Sequence, residues 1–274
     1  MSASIIWFRN DLRIGDNPAL LAALGSGRAV VPLYVLDEET DGIRPRGAAS
    51  RWWLHHSLQS LDASLRTLGS RLILRRGPAE HVVAGLAVES GADAVYWNRV
   101  YDRGSRERDA RLKSALGARG VRAESLKANL LYEPWEAKTL SGDPFKVFTP
   151  FWRACCNLPS PGHPLPAPRS LPGPLTWPAS EVLASWRLKP TSPDWAGGLR
   201  ASWVPGEAGA LDRLTDFLDG ALERYRQDRD FPAVEGTSRL SPHLAFGEVS
   251  PRHIWRAATE RGHSAATEKF LAEL

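Results

Sequence analysis

SIIWFRNDLRIGDNPALLAALGSGRAVVPLYVL, residues 4–36, decides the fold. Its two ends, Ser4–Phe8 and Ala29–Leu36, are short apolar runs with β-branched residues, bounded by turns, as buried parallel strands are. Between them Asn17 is placed to cap a helix with Pro18 at its first position. Gly25 and Gly27 read as the C-cap and turn that close it. The same alternation continues down the chain. Apolar runs recur at 71–75, 93–97 and, more weakly, 121–126. Helical spacing appears at Trp53, Leu54, Leu58, Leu61 and Leu65, then at 78–90 and 104–118. Strands alternating with helices predict an α/β domain over residues 1–130: an open parallel five-stranded sheet with flanking helices and right-handed crossovers.

No GxxxxGK and no GxGxxG follows any of these strands, so the domain is no evident triphosphate or dinucleotide binder. Arg9, Asp11 and Arg13 sit directly after the first strand, at the sheet edge where open α/β folds form a crevice. A local ion-pair network is the preferred account of them.

The chain has 274 residues, 43% of them hydrophobic, enough for a proper core. Its net charge of +4 permits an anionic partner without demanding one. Of 35 basic residues 29 are arginine, which suits bidentate phosphate contact, although a base-composition bias would do the same. Cys155 and Cys156 are the two cysteines; neighbours in sequence make a poor structural disulfide and match no zinc spacing. No metal site is expected. No segment reaches the roughly eighteen apolar residues of a membrane span. The expectation is a reduced, cytoplasmic, monomeric protein.

Regular patterning fades after residue 130. Pro159–Pro178 holds eight prolines, too many for a helix or an interior strand. Residues 131–200 therefore read as an interdomain connector, Pro-rich at 159–178, with PFKVFTPFWR (144–153) as an ordered anchor. Trp7 and Trp97 belong to core strands, whereas Trp177, Trp186, Trp195 and Trp203 are placed to clamp the connector. From 201 to 274 the pattern is helical: Leu211, Leu214, Leu218, Leu222 and Tyr225 form one amphipathic face.

ERYRQDRDFPAVEGTSRLSPHLAFGEVSPRHIW, residues 223–255, carries the densest chemistry. Thr237, Ser238 and Ser241 set three hydroxyls behind the turn-forming Gly236. Ser241-Pro242 and Ser250-Pro251 each read as an N-cap followed by proline. Hydroxyls leading into a helix N-terminus suit a bound phosphate, and Arg239 lies among them; plain helix capping accounts for them equally well.

EGTSRLSPHLAFGEVSPR, preceded by a tyrosine and RDFP, resembles the flavin-binding signature of the DNA photolyase/cryptochrome family. WFRNDLRIGDNPAL and PFKVFTPFWR resemble two further stretches of that family, in the same order along the chain. The resemblance implies an N-terminal α/β photolyase domain joined by a long wrapping loop to a helical FAD-binding domain, which residues 201–274 begin. It implies FAD held by Tyr225, Thr237, Ser238, Arg239, Leu240 and Ser241, with Phe270 beside the cofactor. It also implies damaged DNA as partner, with Arg229 facing DNA and Glu273 hydrogen-bonding the lesion. The function implied is light-driven splitting of pyrimidine dimers by an electron from the excited reduced flavin. A cryptochrome-like photoreceptor is the alternative, and an inactive fragment a third. The sheet-edge crevice is where this family can hold an antenna pigment. Gly104 and Ser105 stand where folate-using relatives carry asparagine and glutamate, which disfavours folate and leaves the antenna's identity open. Phe270, Leu271 and Leu274, near the last residue, are expected to lie uncovered, leaving FAD weakly held, and the 1–130 domain to fold independently of them.

Overall fold

The computed structural model describes residues 2–274. Five parallel strands, β1 (Ala3–Phe8), β2 (Ala29–Leu36), β3 (Ile73–Arg76), β4 (Ala92–Asn98) and β5 (Arg122–Leu126), lie in the order β3-β2-β1-β4-β5. Ile5 stands opposite Val31 on one side and Val95 on the other. Central β1 is buried along its whole length, which is why its residues are continuously apolar rather than alternating. Successive side chains serve opposite faces. Ile6, Phe8 and Tyr34 pack with α1 (Pro18–Gly25) and α2 (Ala48–Thr67), whereas Ile5, Trp7, Leu33 and Trp97 pack with α3 (Ala79–Glu89) and α4 (Arg103–Gly117). The reversal of strand order after β3 is what sends the later helices to the other face.

Local differences from the sequence reading have local causes. β3 starts at Ile73, because the amide of Leu72 is taken by Asp62 Oδ1 at 2.8 Å and leaves the ladder. Gly25 ends α1 as a helical residue; Ser26 is the C-cap, and Gly27 supplies the positive φ of +71°. The helical pattern read at 104–118 forms α4 from Arg103, one residue earlier, because Asp102 is the cap, its carboxylate accepting from the Ser105 amide at 2.8 Å. Residues 131–200 contain α5 (Phe148–Cys156), a 3-10 turn at Leu183–Trp186 and the start of α6 (Gly197–Ser202).

The proline-rich stretch wraps the sheet domain through its own backbone. Leu171 N donates to Leu68 O at 2.8 Å, Val30 N to Pro172 O at 2.7 Å, and Glu181 N to Leu74 O at 2.9 Å. The last of these, with Leu74 N donating to Ser180 Oγ at 2.9 Å, lies on the open edge of β3, and Leu171 is fully buried. Trp186 packs on Tyr34 and Trp203 on Trp53, as clamps should. Trp177 stacks on Arg71, whereas Trp195 stays exposed. α5 is anchored by Cys155 and by Trp152 against Trp255, while Phe148 and Phe151 face outward.

Helices α7 (Glu207–Asp219), α8 (Tyr225–Asp228), α9 (Ser241–Phe246), α10 (Pro251–Glu260) and α11 (Ala265–Glu273) enclose a third core. The expected single stripe is broken: α7 stops at Asp219 before Gly220, and a 3-10 turn at Leu222–Arg224 returns Leu222 and Tyr225 to the same core. Phe270 and Leu271 are buried at 5% and 6% exposure, against the expectation that they lie uncovered. Phe217, Tyr225 and the other residues of that core cover them.

Nor does the sheet domain stand apart from the helices. Gly247, with φ of +65°, lies so close to the β1 loop that an added Cβ would sit 1.9 Å from Asn10 O. Gly247→Ala should cost about 3 kcal/mol or more, from left-handed strain plus a backbone clash, and a thermal melt of the variant checks this.

His55, on α2, is buried with neither ring nitrogen bonded among the described residues. Burial, with Lys189 and His56 nearby, lowers its pKa to about 4. A lowered pKa means the fold favours the neutral ring, so its contribution is complete above the unfolded value near 6.5 and declines as pH falls towards about 4. Urea midpoints at about pH 7 and about pH 4.5 should therefore fall less in His55→Leu than in wild type.

Candidate functional site

The hydroxyl loop is set by the way Gly236 meets α8. A Cβ there would stand 2.5 Å from the Asp228 Cβ and 2.8 Å from its carbonyl carbon, so only glycine lets the chain turn so close. Thr237 and Ser241 are then exposed and Ser238 half-buried. The Ser238 Oγ accepts a long 3.4 Å contact from Leu240 N, leaving these side chains available to a ligand. Arg239 adopts φ of +54°, and its guanidinium lies 4.6 Å over the Trp203 ring. Leu240 turns the other way, into the helical core.

α9 begins one residue earlier than expected. Leu240 holds the N-cap position in an αR conformation without a side-chain cap, so Ser241 is the first helical residue rather than the cap. Ser250 does cap α10, accepting from His253 N at 3.0 Å, but its hydroxyl donates to Asp16 in the interior and is closed to any phosphate.

Tyr225 opens α8, the helix on whose Asp228 the Gly236 turn packs. Its ring meets Phe217 at 5.7 Å and Phe270 at 5.3 Å, both edge-on, and its hydroxyl accepts from Arg229 Nη1 at 3.2 Å. Burial raises the phenol pKa despite the nearby Arg229, so the hydroxyl stays protonated and able to donate. Phe270 is packed inward and stands behind Tyr225 instead of presenting its ring to the surface. Arg229 Nη1 reaches Glu273 Oε1 at 2.8 Å, and Lys269 Nζ reaches the same oxygen at 2.6 Å. The Lys269 hydrogen bond, with Arg229, holds the Glu273 carboxyl below the usual range. Charged and half-exposed, it is a ready acceptor.

Three carboxylates that the sequence reading overlooked hold this region against the sheet. Glu248 has no solvent exposure; its Oε1 accepts from Trp53 Nε1 at 3.0 Å, from Gly206 N at 2.7 Å and from the Ser57 hydroxyl. Its Oε2 meets His243 Nδ1 at 2.5 Å. Asp16 accepts from Leu165 N, Ser250 Oγ and Arg252. Glu207, whose pKa burial raises, caps the amides of Ile14 and Gly15 at 2.7 and 2.8 Å. The signal that existed was a lone glutamate inside the apolar run AFGEV, which demands buried partners.

The residues after β1 do form a buried polar network. Arg9 pairs with Asp109 through both carboxylate oxygens, at 3.0 and 2.7 Å, and Asp11 accepts from Asn98 Nδ2 at 2.7 Å. Arg13 departs from ion pairing: its guanidinium donates to the carbonyls of Asp16, Ala128 and Gly247. Above Arg9 opens a cleft of about 370 Å³ lined by Trp7, Arg9, Tyr34, Arg46, Ser105 and Arg108. Gly104 cannot carry a side chain here, since its Cβ would lie 2.3 Å from Gly42 O. No group of three or more metal-ligating side chains occurs among the described residues, and no helix is long and apolar enough to cross a membrane.

The DNA photolyase family model matches residues 4–169. A deoxyribodipyrimidine photo-lyase of Agrobacterium fabrum is 49% identical over 253 residues, covering 92% of this chain and 52% of that protein. Cryptochrome-1 of Arabidopsis thaliana is 40% identical over 257 residues, covering 92% and 37%. The crystal structure of a bacterial class III photolyase from Agrobacterium tumefaciens superposes with a TM-score of 0.94 at 46% identity, covering 100% of this chain and 57% of that one. The chain thus spans about half or less of the length of these relatives.

The hub at Glu248 yields a direct prediction. Glu248→Ala leaves the Trp53 indole, the Gly206 amide and His243 without their acceptor, at a cost of roughly 3–5 kcal/mol. Glu248→Gln, which keeps one carbonyl oxygen, should recover part of that loss in the same denaturant titration.

Proposed function

This chain belongs to the DNA photolyase family, and on that premise we propose that it serves the repair of pyrimidine dimers in DNA by light, with FAD as cofactor. The observations that carry the reading meet at α8: the open hydroxyl loop Thr237–Ser241 follows the Gly236 turn packed on Asp228, and Arg229, next in the chain, joins Tyr225 and Glu273. The residues present fit the cofactor's phosphates: exposed hydroxyls, a protonated phenol and Arg239 supply donors to an anion.

Thr237, Ser238 and Ser241 would donate to the phosphates, with Tyr225 closing the side of the loop and Arg239 adding charge. Leu240 fastens the loop to the core, and Phe270 backs Tyr225. Held by these residues, FAD would supply light-driven one-electron chemistry. Arg229 would grip a DNA phosphate, and the ionised Glu273 would accept from a base N–H of the flipped lesion. The arginine cleft at the sheet edge would seat a second, light-collecting chromophore.

A photoreceptor role is the second reading, favoured by the 40% identity to a plant cryptochrome. It uses the same flavin loop but needs no lesion contact, so the DNA experiments separate the two.

Replacing both Ser238 and Ser241 with alanine should reduce retained flavin absorbance after desalting by about tenfold or more, through loss of hydrogen bonds to a charged acceptor. Unchanged retention would move the flavin elsewhere. In the flavin-loaded protein, Glu273→Ala should weaken binding to dimer-containing DNA by about 1.5–3 kcal/mol while flavin content stays constant. Arg229→Ala should weaken damaged and intact duplexes alike, with a shallower salt dependence. Wild-type affinities for both variants at every salt concentration would remove DNA from the reading.

A further inference from the structure

We propose that a second groove, at the opposite side of the sheet edge, binds a small organic monophosphate of mononucleotide size. The groove lies where the end of β5, the wrapping linker and α10 meet, and its volume is about 400 Å³. That places it in the range of small-molecule sites. It shares no lining residue with the arginine cleft above Arg9 or with the hydroxyl loop.

Its chemistry is one-sided. Arg99, Lys127 and Arg252 line it, brought there by the end of β4, the end of β5 and α10, and no carboxylate lines it. Each cation is held from behind by an acid outside the groove. Arg99 Nε bonds Glu133 at 2.9 Å, Lys127 Nζ bonds Glu136 at 2.6 Å, and Arg252 bonds Asp16 through Nε at 3.0 Å and Nη2 at 2.8 Å. These pairs fix the long side chains, so a ligand need not order them. They also leave donors unspent: Arg99 Nη2, Arg252 Nη1 and further ammonium hydrogens of Lys127. Three cations from three elements suit a doubly charged phosphate better than a single carboxylate. Leu130, Leu131 and Leu165 supply apolar wall for a flat organic body. A half-enclosed groove of this size admits one nucleotide unit and excludes a duplex.

The position gives the ligand a structural consequence. Arg252 is the α10 residue that holds Asp16 of the β1 loop, and Leu165 is the linker residue hydrogen-bonded to the same Asp16. A phosphate on Arg252 and Arg99 would bridge the sheet domain, the linker and the helical part at one point.

Equilibrium dialysis or calorimetry with AMP and adenosine tests the site, and its result does not depend on flavin. AMP should saturate one site, with adenosine at least about tenfold weaker. Lys127→Glu should weaken AMP by at least about tenfold and the milder Lys127→Met by about threefold, with wild-type circular dichroism in both. Arg44→Glu, at the rim of the other cleft, should leave AMP affinity within about twofold. The proposal is overturned if AMP shows no saturable binding, if adenosine binds equally well, or if Lys127→Glu retains wild-type affinity for AMP, as it would with AMP at the hydroxyl loop or in the cleft above Arg9.

Discussion

A fully buried carboxylate must find its donors inside the protein, and Glu248 finds them on three separate elements. Trp53 and Ser57 come from α2 of the sheet domain, Gly206 from the turn that opens α7, and His243 from α9. Removing any one partner leaves an uncompensated charge or a bare N–H in a low-dielectric interior. The position of α9, and with it the loop that leads into α9, is therefore tied to the sheet. Trp53 also stacks on Phe246 and meets Trp203, whose ring carries the Arg239 guanidinium. One hydrogen-bonded centre and one aromatic column thus hold the hydroxyl loop in place.

The second interlock is made of backbone. Arg13, nearly without exposure, donates to carbonyls of its own loop, of the segment after β5 and of Gly247. A planar guanidinium can serve several acceptors in fixed directions, which a lysine cannot do. Leu12 N adds a bond to Phe246 O at 3.1 Å, and Glu207 caps the amides of Ile14 and Gly15. The β1 loop is thereby written into the helical part, so that residues 1–130 and the helices share a hydrogen-bonded interface.

Function, on the proposed reading, depends on what these interlocks leave uncommitted. Buried polar groups of the region are spent on structure: Ser250 on Asp16, Arg9 on Asp109, Glu207 on amides. The groups left at the surface are different ones, the exposed hydroxyls of Thr237 and Ser241 and the half-exposed Glu273. Similar residue types therefore divide into scaffold and site by burial alone. Ser241 and Ser250 look alike in sequence, each followed by proline, yet one is open and the other sealed.

The sheet was legible because parallel strands buried on both faces are continuous apolar runs, and SIIWF and AVVPLYVL need no partner to be recognised. Asn17 and Pro18 marked the start of α1, since a cap is a local interaction. The hydroxyl loop and Tyr225 were legible as a motif, and Gly236 as its turn. What sequence could not supply were interactions between residues far apart in the chain. Phe270 turns into a core built by Phe217 and Tyr225, and Gly247 packs on Asn10. Apart from His243, the partners that give Glu248, Asp16 and Glu207 their roles lie about 40 to more than 230 residues away. Periodicity and caps act within a few residues and can be read along the chain; satisfaction of a buried charge is decided where the folded elements meet.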